Sequence, residues 1–201
     1  MPEVEDPSRR HALPPLDVGA AGARDFEAAF GRLLYGGSYG LERAKADFLR
    51  YLVAHHPVLL HGSNDPAITV FEPRPKPDFL DRPVTAVFAT SDGVWPIFFA
   101  IADRSVVVEM RNNCERAGTT THYYFSVAVR PPRRDPWSSG HVYILPRQPF
   151  SHGYREEWLS SEPVVPLARL CVDPSDFPFL DRVLRHEAGE STEAFLARLR
   201  G

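Results

Sequence analysis

The sequence predicts an α+β fold, and three observations predict it. Short β-prone segments recur from Val58 to Val172, parted by Pro- and Gly-containing turns. Helical spacing of apolar residues is confined to the two ends and one short central segment. No internal repeat interrupts this arrangement. Many short strands with peripheral helices belong to the α+β class.

The elements follow in chain order. Residues 1–24 read as a mobile tail, charged and proline-containing. Residues 25–56 read as a helical element. Phe26, Ala29, Phe30, Leu33 and Leu34 recur at helical spacing, with Asp25 as N-cap. The Gly36-Gly37-Ser38-Tyr39-Gly40 stretch breaks that helix. A second runs from Leu41 to His55 with Leu41, Ala44, Phe48, Leu49 and Leu52 on one face, and Pro57 stops it. Residues 57–201 form the main domain. Strands are expected over Pro57–Leu60, Ala67–Phe71, Val84–Thr90, Ser105–Met110, His122–Val129, His141–Leu145 and Pro163–Val172. Pro73–Pro77 reads as a loop. Asp92-Gly93 turns the chain into an aromatic helix over Val94–Ala102. Helices near Phe177–His186 and Thr192–Leu199 close the chain.

Composition narrows the function classes. A chain of 201 residues suits one domain with a helical appendage, and 43% hydrophobic with 11% aromatic residues supports a packed core. A net charge of -3 gives no footprint for tight nucleic-acid binding, and Arg130-Pro131-Pro132-Arg133-Arg134 reads as a solvated loop. Cys114 and Cys171 are expected to be free thiols in a reducing compartment. Met1 to Leu16 lacks the apolar core of a signal peptide, and no segment has the length and apolarity of a membrane span. The expectation is a soluble, cytoplasmic protein.

The most informative stretch is Leu59-Leu60-His61-Gly62-Ser63-Asn64. An apolar strand delivers an imidazole, a glycine and a small hydroxyl together at its end, with the turn Asn64-Asp65-Pro66 after it. A glycine there permits close approach to the backbone, and His61 and Ser63 offer hydrogen-bonding groups beside it.

Two later segments join this one. Leu60-His61-Gly62-Ser63 resembles the opening strand of ADP-ribosyltransferases of the diphtheria-toxin and poly-ADP-ribose-polymerase type. Ala86-Val87-Phe88-Ala89-Thr90-Ser91, followed by an aromatic/alanine helix, is similar to their second conserved strand. Ser161-Glu162-Pro163-Val164-Val165-Pro166-Leu167 resembles the later strand that starts with the catalytic glutamate. The resemblance spans about residues 57 to 175 and leaves the two N-terminal helices outside. It implies a split, twisted β-sheet core and NAD as co-substrate. In that family the histidine holds the adenosine ribose and the next residue's backbone holds the nicotinamide amide, which implies those roles for His61 and Gly62, with Ser63 beside them. The glutamate favours the oxocarbenium-like charge that develops as nicotinamide leaves, which implies that role for Glu162. Glu156 and Glu157, a few residues upstream, compete for that role, with Glu157 the next choice.

This chain departs from the family pattern on the second strand. The tyrosine that stacks on nicotinamide falls on Val87 here, and alternation sends the adjacent Phe88 to the opposite face. Thr90 or Ser91 could supply a hydroxyl instead. Tyr35, Tyr39, Tyr124 and Tyr143 could supply a platform from elsewhere, although packing is the commoner role for each. Core packing is also the stronger reading for Trp95, Phe98 and Phe99. His55, His56, His61 and Asp65 invite a metal hypothesis, but no Cys-x-x-Cys or His-Glu-x-x-His spacing supports zinc. No phosphate-binding glycine loop occurs, and Cys171 in an apolar strand reads as a packing residue.

The leading expectation is therefore NAD-dependent ADP-ribosyl transfer, a glycosyltransferase activity, or NAD hydrolysis. The acceptor stays open among a protein side chain, nucleic acid and a small molecule. A non-catalytic binding module on the same fold and an RNA 2'-phosphotransferase-like enzyme are the alternatives. No arginine pattern that would hold a phosphate surrounds His61.

Overall fold

The computed structural model describes residues 11–78, 80–132, 135–191, 193–195 and 197. In chain order the elements are β1 (His11–Leu13), α1 (Gly19–Leu34), α2 (Lys45–His55), β2 (Val58–Ser63), β3 (Arg74–Pro77) and β4 (Pro83–Thr90). Then come α3 (Trp95–Ile101), β5 (Val107–Ala117), β6 (Thr120–Val129), β7 (Gly140–Pro146), β8 (Ser151–His152), β9 (Glu157–Ser160), β10 (Ala168–Val172) and β11 (Leu184–Arg185). The class is α+β, with two sheets. They belong to two compact units. One comprises Met1–Pro15, Asp103–Trp137 and Phe179–Gly201, and the other Leu16–Ala102 and Ser138–Pro178.

The larger unit is built on an antiparallel sheet in the order β10-β7-β2-β4-β9-β8, with β3 paired to the first half of β4. Both faces of β2 are covered. On one face Leu59, Val87, Ala89, Tyr143 and Leu145 pack with Phe71, Phe150 and Val164. On the other lies α3. A Cβ added at Gly62 would overlap the Pro96 carbonyl oxygen, and one at Gly140 would overlap that of Ala100. Two bare backbones thus let a seven-residue helix seat directly on the sheet. Asp92 starts that helix, since its Oδ1 accepts the N–H groups of Val94 (2.8 Å) and Trp95 (2.7 Å). In α1 and α2 the buried residues Phe26, Ala29, Phe30, Leu33, Phe48, Leu49 and Leu52 repeat every three or four positions, so each helix turns one apolar stripe inward.

The smaller unit is organised on β6. It pairs antiparallel with β5 over its length, antiparallel with β1 at its start and parallel with β11 near its end. Tyr123, Phe125 and Phe179 cluster there, with ring centroids 5.4–6.3 Å apart.

Several elements differ from the expectation. Residues 11–24, read as tail, hold β1 and the start of α1, while residues 1–10 lie outside the described residues. Asp25 is no N-cap. It lies inside α1, and its carboxylate accepts Arg43 Nε at 3.0 Å. Helix α2 starts at Lys45, not Leu41. The loop expected at Pro73–Pro77 contains β3, and the strand expected over Ala67–Phe71 shrinks to one bridge, Phe71 opposite Val164. Where a helix was expected over Phe177–His186 there are two 3-10 turns, Pro174–Asp176 and Leu180–Arg182, and then β11. The expected helix of 192–199 lies partly outside the described residues, although 193–195 and 197 are helical.

Candidate functional site

The backbone ladder between β2 and β4 consists of one registered pair among the described residues, Leu60 opposite Thr90. Beyond it a side chain replaces backbone pairing. His61 Nδ1–H donates to the carbonyl oxygen of Phe88 on β4 at 2.7 Å. A carbonyl can only accept, so the proton is on Nδ1, and in the neutral ring Nε2 is the acceptor. The imidazole packs on Phe71 with centroids 4.7 Å apart. Phe71 in turn exchanges backbone hydrogen bonds with Val164, at 2.8 and 2.9 Å. The segment that carries Glu162 is thereby tied to the face on which His61 stands.

The other candidates divide between the two faces. Register puts Leu60, Thr90 and Glu157 in one cross-strand row, so alternation places them on the α3 face, opposite His61. Val87 faces the His61 side and is buried. Glu162 is exposed in the turn after β9, and its N–H donates to Ser160 Oγ at 3.1 Å. Glu156 is joined to Ser91. The Ser91 hydroxyl donates to Glu156 Oε2 at 2.6 Å and accepts Trp158 Nε1–H at 3.1 Å. Thr90 Oγ1 accepts the Asp92 N–H at 3.0 Å. Both hydroxyls at the end of β4 therefore serve the turn into α3 and the β9 edge. Ser63 Oγ likewise accepts the Asp65 N–H at 3.1 Å. Gly62 gives its free face to α3, so the space beside its Cα is taken by Pro96 and not by a ligand.

The aromatic candidates are mostly structural. Tyr143 is the cross-strand neighbour of His61, but its hydroxyl donates to the Asp65 carbonyl (2.7 Å) and accepts the Ile68 N–H (3.3 Å). Burial pushes its pKa up. Burial also pushes Tyr39 up to about 12, and its hydroxyl donates to the Arg43 carbonyl. Tyr35 is 94% exposed, and Tyr124 belongs to the smaller unit. Trp95 and Phe98 are core residues, and Phe98 packs on Phe177. The ring that stands against His61 is Phe71. Its one sequence signal was an aromatic residue just beyond the turn that follows the histidine.

His55 and His56 serve different partners, the Tyr51 carbonyl oxygen and the Glu27 carboxylate. Among the described residues no group of three or more His, Cys, Asp or Glu is placed to hold a metal ion. Both cysteines are free thiols, Cys114 buried and Cys171 exposed, which differs from the packing role read for Cys171. No helix among the described residues is long and apolar enough to cross a membrane. No family model, curated protein or solved structure matches this chain.

Proposed function

We propose that the larger unit is an ADP-ribosyltransferase-like domain. It binds NAD where β2 and β4 part, and transfers ADP-ribose to an acceptor or to water. The observation that carries this reading is the halt of the β2–β4 ladder at Leu60 and Thr90, with the His61 imidazole across the gap. His61 Nε2 accepts a ribose hydroxyl, and main-chain groups around Gly62 and Ser63 take the carboxamide. Glu162, two residues before the Val164 that bridges Phe71, stabilises the ribosyl cation. The glycosidic C–N bond breaks, nicotinamide leaves with the bonding pair, and an acceptor lone pair forms the new bond and releases its proton. A protein side chain, a nucleic acid or a small molecule can fill that place.

Nicotinamide release from NAD is the test, with thermal shift as a separate measure of binding. Glu162→Gln should lower release by about a hundredfold or more while the NAD-induced shift persists. Glu157→Gln should leave release within a few-fold of the parent, because its carboxylate belongs to the α3 face. His61→Ala should abolish the shift. Release that survives Glu162→Gln, or a shift indifferent to His61, removes the assignment.

A second reading, a non-catalytic NAD-binding module, is favoured by Val87 in place of an aromatic ring and by the internal hydrogen bonds of Thr90 and Ser91. A thermal shift with NAD and no nicotinamide release would select it.

A further inference from the structure

Strand β10 is an edge of the larger sheet. It pairs with β7 on one side, and among the described residues no strand pairs with it on the other. An unpaired edge offers a row of N–H and C=O groups to another chain, and proteins blunt such edges with short strands, prolines or bulges. Two other edges of this sheet are blunted, since β8 has two residues and β3 carries Pro75 and Pro77. β10 has five residues, no proline and an unbroken register with β7.

The sequence along this edge is complementary to itself. Alternation puts Arg169, Cys171 and Asp173 on one face and Leu170 and Val172 on the other. Asp173 directly follows β10 with extended backbone (φ -126°, ψ 173°), so it continues the row. Arg169 and Cys171 are exposed, whereas Leu170 and Val172 are buried. When two copies of the segment run antiparallel about a two-fold axis at Cys171, Arg169 of each faces Asp173 of the other. Leu170 then faces Val172 on the buried side. Centring the axis on Arg169 would oppose two guanidinium groups, and centring it on Leu170 would set Arg169 against Cys171. Opposite charges directly across an antiparallel pair stabilise it, and like charges weaken it. Both charged groups have capacity left. Arg169 Nη1 donates to the Pro66 carbonyl, while Nε and Nη2 have no partner among the described residues. Asp173 Oδ1 accepts the Ser175 N–H (2.9 Å) and hydroxyl (2.5 Å), while Oδ2 accepts nothing among the described residues.

We propose that β10 joins two copies of this chain into a symmetric dimer, as an antiparallel strand pair centred on Cys171 and flanked by two Arg169–Asp173 ion pairs. The partner is a second copy because the match lies within one segment read against itself. The pairing runs the two seven-stranded sheets into one. The thiol only marks the axis, and the dimer is independent of NAD chemistry.

The experiment is sedimentation equilibrium of the full chain, with far-UV circular dichroism to certify each fold. The parent should show a monomer–dimer equilibrium. Arg169→Asp and Asp173→Arg each place like charges at both pairs, and each alone should dimerise about tenfold or more weakly. Their equimolar mixture restores opposite charges and should regain the parent's affinity as a heterodimer. A parent that is still monomeric at about 1 mM overturns the proposal. So do variants that dimerise like the parent, or a mixture that does not recover. Air oxidation decides the matter where Asp173→Arg does not fold. Directly opposed residues lie within disulfide range, so oxidation should link the parent through Cys171 and leave Arg169→Asp mostly unlinked. Equal linkage in the two refutes the register.

Discussion

Replacing Gly62 with alanine tests how the sheet and α3 share space. The new Cβ would overlap the Pro96 carbonyl oxygen and stand 2.8 Å from the Pro96 carbonyl carbon and 2.9 Å from the Ala100 nitrogen. All three are backbone atoms of one helix, so no side chain can swing aside. The helix is also held in place. Asp92 caps its start, and Asn64 Nδ2 donates to the Ala100 carbonyl at 2.5 Å near its end. Gly62 is not among the glycines with positive φ, so alanine meets no backbone strain of its own and the clash is the whole effect. Relieving it means lifting α3 off β2, and overpacking of this kind costs about 3 kcal/mol. For a chain of this size that lowers Tm by about 6–12 °C. Urea unfolding followed by tryptophan fluorescence reads it, because Trp95 and Trp158 both lie in the larger unit. A Gly62→Ala variant within about 0.5 kcal/mol of the parent would show that α3 does not bear on Gly62, and the glycine would then need a ligand-side explanation.

Three further outcomes follow from named contacts. His186 is fully buried in the smaller unit, facing Glu109, Arg111 and Glu190, and burial is the main cause that holds it below its ordinary 6.5. The unfolded chain binds that proton more readily, so its stabilising effect is complete above about pH 6.5 and is lost as pH falls toward the folded-state pKa. Urea titrations across that window should show the loss, and His186→Leu should flatten it. Ser91→Ala removes the acceptor of Trp158 Nε1–H, and should cost about 1–3 kcal/mol in the same titration with a change in tryptophan emission. Asp92→Ala removes the carboxylate that caps α3 and should cost about 1–2 kcal/mol. An unchanged urea midpoint would argue against that cap.

The elements legible in the sequence are those whose periodicity reports burial. Phe26, Phe30, Phe48 and Leu52 marked two helices because an apolar stripe at helical spacing has few other uses. Strands β4, β6 and β7 were legible for the same reason, as apolar β-branched and aromatic runs. Strand β3 was not. Arg74-Pro75-Lys76-Pro77 has all four residues exposed and exists as a strand by pairing with β4, with Lys76 Nζ over the Phe88 ring at 4.8 Å. Strand β9 was missed because a four-residue segment opening on Glu157 has too few positions to show alternation. The C-terminal misreading has a chemical cause. Phe177, Phe179 and Leu180 mimic helical spacing, but Pro178 between them denies a helix its hydrogen bond, and the chain takes two short turns.

The candidate site was legible one strand at a time and not across strands. His61 stood out because an imidazole ending an apolar strand has to find a partner, and it finds the Phe88 carbonyl. No sequence pattern showed that Thr90 and Ser91 would find theirs within the chain, in Asp92, Glu156 and Trp158. That matters for any ligand held where β2 and β4 part. A hydroxyl committed to a cap or a carboxylate is a poor first contact, because a ligand must displace a hydrogen bond that already exists. In the proposed NAD site, polar recognition on the β4 side would fall to main-chain groups, and apolar recognition to Phe71, which lies against the imidazole. Phe71→Ala should therefore weaken NAD binding more than Thr90→Val or Ser91→Ala does, as read by thermal shift against each variant's own ligand-free Tm. The reverse order would restore the β4 hydroxyls as ligand contacts and reduce Phe71 to core packing.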